Sequence, residues 1–231
     1  MPLDFSADRT VPLETRILRQ AQNLAEEFAG IFNFETIHRY VQESTGSLQN
    51  VQIPDYIHIF AGRFARDRLK ALARTQGNSK EDSPLILYLC NHNAGRSQMA
   101  AAFTAHSGQD RVSVMSAGST PASEVNTVVV QAMEELGIDL SGEFPKPVTD
   151  EVVYAADVIV TMGCGEACPV YPGKRYLDWE VADPAGQPLE VVRAIRDDIR
   201  RRVENLLTEL GVLARARGED AQRHAQSVDS A

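Results

Sequence analysis

The feature that most constrains the fold is a change of hydrophobic pattern near residue 83. Beyond this point, short apolar runs rich in β-branched residues alternate with longer stretches whose apolar positions recur at helical spacing. The expected strands are 85–89, 112–115 and 158–161, and the expected helices start near Arg96, span 124–136 and span 189–213. This spacing predicts an α/β domain with a parallel sheet flanked by helices, and ligands bind such sheets at the carboxyl ends of the strands.

The first part of the chain shows helical spacing only. Three amphipathic helices are expected, starting near Thr10 or Pro12, at Asn33 and at residues 53–55, with a break between the second and third at residues 44–47. The polar stretch 75–82 is typical of a linker. We therefore predict a small all-α three-helix domain with its linker over residues 1–82, the α/β domain over 83–213 and a frayed tail over 214–231.

Charge and hydropathy argue against two classes of partner. The 231 residues include 32 acidic and 23 basic side chains, a net charge of −9, which disfavours nucleic acid and anionic membranes. The apolar runs are far shorter than the ~20 residues that span a bilayer, and the first residues do not resemble a signal peptide. A cytoplasmic location is expected, where three cysteines, an odd number, indicate thiol or metal chemistry rather than structural disulfides.

A basic stretch in the third predicted helix is a feature that would favour nucleic acid as a partner. It contains Arg63, Arg66, Arg68, Lys70 and Arg74. A recognition helix that contacts phosphates is one interpretation. The favoured one is a solvated helix face on which Arg63 pairs with the acidic residue four positions later, because the domain as a whole is not basic.

The segment with the clearest chemistry is a buried strand that ends at Cys90 and is followed by a short loop and a helix that opens with Arg96 and Ser97. A loop between a strand and a helix N-terminus turns backbone N–H groups towards an anion, and the helix dipole adds positive potential. Arg96 adds a planar donor that matches two oxygens of a tetrahedral oxyanion. This combination predicts an oxyanion site.

The same positive potential favours the thiolate of Cys90, which makes this residue the candidate nucleophile. Ser97 is placed to donate its hydroxyl to the sulfur. Asn93 and Gly95 suit a tight loop because both residue types tolerate positive φ. The competing interpretation is that Cys90 is only a small buried apolar residue.

Residues 90–100, CNHNAGRSQMA, resemble the phosphate loop of the low-molecular-weight protein tyrosine phosphatase superfamily. The likeness extends to residues 116–119 and to Asp183-Pro184. It implies the fold of that superfamily, with Asp183 as the general acid that protonates the leaving oxygen. The oxyanion-binding residues that it implies are Asn91, His92, Asn93, Ala94, Gly95, Arg96 and Ser97.

The superfamily includes phosphatases and arsenate reductases, which differ in the steps after the first attack. Water completes a phosphatase cycle, whereas a reductase needs further thiols. Cys164 and Cys168 come after the third predicted strand, and so leave the same sheet edge as Cys90. In the expected relay, Cys90 attacks arsenate, Cys164 attacks Cys90 and releases arsenite, and Cys168 then attacks Cys164. The order of Cys164 and Cys168 stays open, because Gly163 occupies the place expected for the first relay cysteine.

The residues around this pair are similar to those of thioredoxin-coupled arsenate reductases, and Ala185 stands where the phosphatases usually carry an aromatic residue. The resemblance implies an arsenate or phosphate-like substrate, thioredoxin as reductant, no tightly bound cofactor and no metal. The alternatives are a tyrosine phosphatase with inert cysteines, or a reductase served by mycothiol or glutathione with a glutaredoxin-like partner. The pair could also bind a soft metal or As(III). The roles open to the N-terminal domain are dimerisation, shielding of the cysteine loop, and binding of DNA or a partner. A further alternative is therefore a regulatory or binding module in which the loop is catalytically silent.

Overall fold

The computed structural model describes residues 11–48, 56–79, 82–163 and 171–213. The N-terminal part consists of three helices, α1 (Leu13–Glu27), α2 (Phe34–Ser47) and α3 (Ile57–Thr75). Asn33 caps α2 as predicted, since its side-chain oxygen accepts a hydrogen bond from the Thr36 amide at 2.9 Å. The three expected helices are confirmed, although the expected start of the third at residues 53–55 lies outside the described residues.

The predicted break at residues 44–47 is wrong, because α2 continues to Ser47. The hydroxyls of Thr45 and Ser47 donate to the carbonyls of Val41 and Glu43, one turn earlier, at 2.8 and 2.9 Å. These side chains therefore bond within the helix instead of competing with it. Burial of Ser44 and Thr45 against the rest of the protein adds packing that their weak helix propensity does not predict.

A four-stranded parallel sheet forms the centre of the second part, which confirms the α/β class. Its strands are β1 (Leu85–Cys90), β2 (Ser113–Gly118), β3 (Val158–Met162) and β4 (Arg175–Asp178), in the order β2-β1-β3-β4. All six residues of β1 are buried, as expected for a central parallel strand. In the register, Cys90 lies between Gly118 on β2 and Met162 on β3.

Helices cover both faces of the sheet. They are α4 (Arg96–Gly108), α5 (Thr127–Glu134), α6 (Asp150–Ala155) and α7 (Leu189–Glu209), and a 3-10 turn spans Gln109–Arg111. One apolar cluster joins Ile86 and Tyr88 to α4, α5 and α7, while the other joins Leu87 and Leu89 to α6 and to Ala71 of α3. The N-terminal helices thus pack on the α6 side of the sheet, and the predicted boundary at residue 82 falls between α3 and β1.

The expectation of a solvated basic face on α3 holds for Arg63 and Arg66, which are exposed. It is wrong for Arg68. Arg68 is buried, and its guanidinium bonds Glu151 of α6, Ser44 at 3.2 Å and Glu43 at 3.0 Å. Its charge also lies 4.5 Å from the centre of the Tyr40 ring. Arg68 instead contacts the α/β domain, because a long cationic side chain can bury its stem while its head meets acidic partners.

Arg74 and Arg63 add to this contact, whereas Arg66 does not. Arg74 pairs with Asp157 beside β3 at 2.7 Å, and Arg63 bonds the Gly142 carbonyl and Glu143 rather than the acidic residue four positions later. Arg66 pairs with Glu27 within the N-terminal part at 2.7 Å. Among the described helices none is both long and apolar enough to cross a membrane. The predicted tail over 214–231 lies outside the described residues.

Replacing Arg68 with alanine should lower the free energy of unfolding by about 3 kcal/mol, because it leaves the Glu151 carboxylate, which is only 14% exposed, without its partner. Arg66→Ala is the matched control on the same helix, since an exposed pair contributes less than about 1 kcal/mol. Urea denaturation of both variants measures the difference. Equal losses would show that the Arg68 cluster adds no more than a surface ion pair.

Candidate active site

The candidate site lies where β1 ends in the middle of the sheet. Cys90 is the last residue of β1, and α4 begins at Arg96 after a five-residue loop, residues 91–95. The sulfur is buried, with 2% of Cys90 exposed. The expected arrangement of strand, loop and helix is therefore present, and the positive end of the α4 dipole faces the loop beside Cys90.

Asn93 holds the loop from the inside. It is fully buried and has a positive φ of 46°, the left-handed conformation that asparagine tolerates better than most residues. Its side-chain nitrogen donates to the Ser97 hydroxyl at 2.8 Å. Its side-chain oxygen accepts from the Lys146 amide at 2.9 Å and from the Gln98 side chain at 3.2 Å. The side chain thus ties the loop to α4 and to a distant segment.

Gly95 is needed for space and not for positive φ. Its φ is −146°, so the expectation of a left-handed residue here is wrong. A Cβ at this position would lie 2.6 Å from the ring of Pro184. The absence of a side chain lets the Asp183-Pro184 turn pack directly on the loop.

The Ser97 hydroxyl contacts the Cys90 sulfur at 3.0 Å. A serine hydroxyl donates and accepts at once, so Ser97 can donate its proton to the sulfur while it accepts from Asn93. A hydroxyl that donates to a sulfur stabilises the thiolate over the thiol. The contact therefore places a hydroxyl group that can donate a hydrogen bond next to the Cys90 sulfur.

Arg96 and Asp183 meet directly. Arg96 is 7% exposed, and its Nη2 donates to Asp183 Oδ2 at 2.6 Å. The other carboxylate oxygen, Oδ1, accepts from the Ala185 amide at 3.0 Å, which shapes the turn. The predicted anion-binding residue and the predicted acid are thus brought together across 87 positions of sequence.

The cleft beside these groups has a volume of about 340 Å³. Its walls are the loop, residues 122–127 and residues 183–185. His92 lies on the wall with its ring nitrogen 3.1 Å from the Thr120 carbonyl oxygen, and Ala94 also lines the cleft. Asn91 contributes its backbone, whose carbonyl accepts from the Thr120 amide at 2.8 Å.

Residues 119–126 form a strap along the outside of the loop, and sequence reasoning missed this strap. The loop carbonyls accept hydrogen bonds from this strap, at Cys90, Asn91, His92 and Ala94. Carbonyls turned outwards leave the opposite side of a curved loop for N–H groups, the arrangement of an anion nest. Gly118 makes the close approach possible, since a Cβ there would lie 2.7 Å from the Asn91 carbonyl oxygen. The signal was the glycine in the SAGS stretch at 116–119.

Cys164 and Cys168 lie in residues 164–170, outside the described residues. The described stretch before these residues ends at Gly163, one position after Met162, which is the partner of Cys90 in the β1–β3 register. Gly163 has a φ of +73°, and a Cβ on it would lie 2.6 Å from Arg96 Nη1. The chain therefore enters this segment alongside the Arg96 guanidinium. Within the described residues, no group of three His, Cys, Asp or Glu side chains is arranged to hold a metal.

Two protein families match parts of this chain. The family described as low molecular weight phosphotyrosine protein phosphatase matches residues 85–215, which are more than half of the chain. The chain belongs to this phosphatase family. A second family, described as the N-terminal domain of protein-tyrosine-phosphatase-like proteins, matches residues 17–73, which lie in the helical part.

Within the phosphatase family, the chain is similar to proteins named as arsenate reductases. A solved thioredoxin-dependent arsenate reductase from Corynebacterium glutamicum is 42% identical, with a TM-score of 0.77 over 86% of this chain and 98% of that one. A glutaredoxin arsenate reductase from Synechocystis is 35% identical over 54% of this chain and 97% of its own length. Arsenate reductase 1 from Bacillus cereus is also 35% identical, over 54% and 94%. The first likeness includes the N-terminal helices.

Gly163→Ala should weaken binding of inorganic phosphate by about tenfold, because the new methyl group displaces the Arg96 guanidinium and a hydrogen bond to a charged group is lost. Gly173→Ala is the matched control, since Gly173 also has a positive φ, +81°, but has no atom within 4 Å of a Cβ. Both variants carry the backbone strain and only one carries the clash. Phosphate affinity that falls equally in both would remove the clash as the cause.

Proposed function

We propose that this protein reduces arsenate to arsenite, with Cys90 as nucleophile, Cys164 and Cys168 as relay thiols and thioredoxin as the source of electrons. The observation that carries the proposal is the position of Cys90 beside Ser97 and Arg96, with Met162, its partner on β3, two positions before Cys164. Arsenate reductases among the relatives support the same reaction.

Substrate binding is an exchange of anions at Arg96. The guanidinium holds the Asp183 carboxylate at 2.6 Å, and an arriving arsenate takes the place of that carboxylate with two of its oxygens. The N–H groups of loop residues 91–95 and the first turn of α4 bind the remaining oxygens. Asp183 is then left beside the leaving oxygen, where a protonated carboxyl serves as general acid.

In the first chemical step, the Cys90 thiolate attacks arsenic, and a sulfur–arsenic bond forms as an arsenic–oxygen bond breaks. Asp183 supplies a proton to the departing oxygen, which leaves as water. The Ser97 hydroxyl stabilises the attacking thiolate. Arsenic is still As(V) after this step, and the same step on a phosphate ester would give a phosphocysteine.

Reduction occurs when a relay thiolate attacks the Cys90 sulfur. A sulfur–sulfur bond forms, the sulfur–arsenic bond breaks, and its electron pair stays on arsenic, which leaves as As(III). The second relay thiolate then attacks the first relay sulfur, which frees the Cys90 thiolate and leaves a Cys164–Cys168 disulfide. Thioredoxin reduces this disulfide, in a compartment such as the cytoplasm where thiols are kept reduced.

A phosphatase is the second candidate, because the phosphate cradle serves either anion. Arsenate and phosphate are nearly isosteric, so selectivity depends on the steps after binding. Ala185 is on the wall of the cleft, and none of the described residues of that wall is a Phe, Tyr or Trp that an aryl phosphate could stack against. A reductase served by a small thiol and a glutaredoxin-like protein is a further variant, favoured by the Synechocystis relative.

NADPH oxidation by a mixture of this protein, thioredoxin and thioredoxin reductase should require arsenate and should not occur with phosphate. Cys90→Ser should abolish this turnover and also any hydrolysis of an aryl phosphate, because both reactions start with the same attack. Hydrolysis without arsenate-dependent oxidation would favour the phosphatase. Oxidation only with mycothiol or glutathione and a glutaredoxin would identify the small-thiol variant.

Cys164→Ser and Cys168→Ser should each stop arsenate turnover with thioredoxin yet retain slow aryl phosphate hydrolysis, since they act after the first attack. Trapping of mixed disulfides by mass spectrometry orders the two thiols, because only the first relay cysteine can accumulate a bond to Cys90. Full thioredoxin-linked turnover in either variant would exclude that cysteine from the relay.

Asp183→Asn should lower kcat about 100-fold, the usual contribution of a general acid, without weakening phosphate binding. Removal of the carboxylate also frees the Arg96 guanidinium, so phosphate affinity should stay equal or rise. Asp178→Asn is the control at the same sheet edge, since the Asp178 carboxylate bonds only the Thr161 hydroxyl among the described contacts. An unchanged kcat in Asp183→Asn would assign the acid to another group.

A further inference from the structure

The segment 142–146 contacts both the catalytic loop and α3 of the N-terminal helices. On the loop side, the Lys146 amide donates to Asn93 Oδ1 at 2.9 Å, and the Phe144 carbonyl accepts from the Gln98 side chain at 3.2 Å. Both hydrogen bonds are buried. The segment therefore meets the two side chains that support the loop, and one of them, Asn93, bonds the Ser97 hydroxyl that contacts Cys90.

The sheet fixes only the far end of this segment. The Gly118 amide donates to the Lys146 carbonyl at 2.8 Å, and the Val148 amide donates to the Gly118 carbonyl at 3.1 Å. These bonds form a parallel bridge between Gly118 and Pro147 at the end of β2. Residues 142–144 lie before that bridge and depend on other contacts.

Those contacts come from α3 and from Leu48 at the end of α2. The Phe144 side chain is 2% exposed, and the other buried members of its apolar cluster are Leu48, Ala61 and Phe64 from the N-terminal part. Its ring centre lies 4.7 Å from that of Phe60. Phe144 thus has its side chain among the N-terminal helices and its carbonyl on a residue that supports the catalytic loop.

Charged groups of α3 hold the same segment. Arg63 donates to the Gly142 carbonyl and to Glu143 Oε1, and its guanidinium carbon lies 5.2 Å from the centre of the Phe144 ring. Lys146 is largely buried, with its ammonium 3.6 Å from Glu143 and 3.9 Å from Asp67 of α3. Ion pairs and ring contacts of α3 therefore reach along the whole segment, from Gly142 to Lys146.

We propose that α3 is a positioning element of the active site, which holds segment 142–146 against Asn93 and Gln98 and so sets the reactivity of Cys90 and the affinity of the loop for oxyanions. Arg63 and Phe144 are the positioning residues. This inference rests on the proposed function only in taking Cys90 as the nucleophile. It gives the N-terminal helices a part in catalysis although none of their described side chains lines the catalytic cleft.

The test measures Cys90 itself and not arsenate turnover. In a full-length chain with Cys164→Ser and Cys168→Ser, Cys90 is the one remaining thiol. Arg63→Ala in this background should slow alkylation of Cys90 by iodoacetamide about fivefold and raise the phosphate concentration that protects Cys90 by a similar factor, as typical of coupling through packed networks. Phe144→Ala should do the same or more.

Arg66→Ala is the matched control, because Arg66 lies on the same helix but pairs with Glu27 inside the N-terminal part. Arg63→Lys, which keeps the charge beside Glu143 and Phe144, should recover part of the lost reactivity. Arg63 is partly exposed, so its loss should change the thermal unfolding midpoint only slightly. If Phe144→Ala does not fold, Arg63→Ala still decides the outcome.

A double substitution tests the route. If α3 acts through the loop support, Arg63→Ala should have little further effect once Asn93→Ala has removed that support, because coupled residues are not additive. Alkylation and phosphate protection equal to those of the Arg66→Ala control would overturn the proposal, and fully additive effects with Asn93→Ala would overturn the route through Asn93. Since neither readout uses arsenate, a failure to reduce arsenate leaves this test intact.

Discussion

The buried side chain of Asn93 ties together the parts of the catalytic centre. A left-handed residue bends the loop after β1, and its amide then bonds Ser97, Gln98 and the Lys146 backbone at once. Without these bonds, the loop would have to satisfy a buried amide elsewhere, at a cost of roughly 1–3 kcal/mol for each orphaned group. The position of the Ser97 hydroxyl, and with it the environment of the Cys90 sulfur, depends on this one residue.

Arg96 shows how a buried cation is kept ready for a substrate anion. A guanidinium that is 7% exposed would be costly without a partner, and Asp183 provides one at 2.6 Å. The partner is a half-exposed carboxylate on a turn that packs on Gly95. An oxyanion that replaces it finds Arg96 already oriented, and the displaced carboxyl remains beside the reacting atom.

At the contact between α3 and the α/β part, cationic side chains are likewise paired with carboxylates. Arg68, Arg74 and Arg63 each meet an acidic residue of the α/β part, at Glu151, Asp157 and Glu143. Arg68 is buried between its partners, so the pair depends on close packing of α3 on α6. The basic stretch therefore joins the helical part to the sheet, which agrees with the acidic balance of the whole chain and needs no polyanionic partner.

The sequence alone determined the features that depend on short-range patterns of residues. Helical periodicity predicted α1 to α3, Asn33 predicted a cap, and a buried apolar run ending in CNHNAGRS predicted β1, the loop and the start of α4. It missed β4 because an edge strand of four half-exposed residues has no apolar run, and it missed α6 because six residues are too few to show a period. It placed a break at 44–47 because it could not see the packing that keeps those residues helical.

Only the tertiary structure decided which distant residues support the local motif. The bonds of Asn93 to Lys146, of Gln98 to Phe144 and of Arg96 to Asp183 span 53, 46 and 87 positions. The same is true of Gly95 and Gly163, whose missing side chains make room for Pro184 and for Arg96. Local propensity acts over a few residues, whereas these contacts depend on strand order and on how α3 packs against the sheet. One short segment thus supplies the reactive groups of the loop, whereas residues distant in the sequence determine the geometry of the loop.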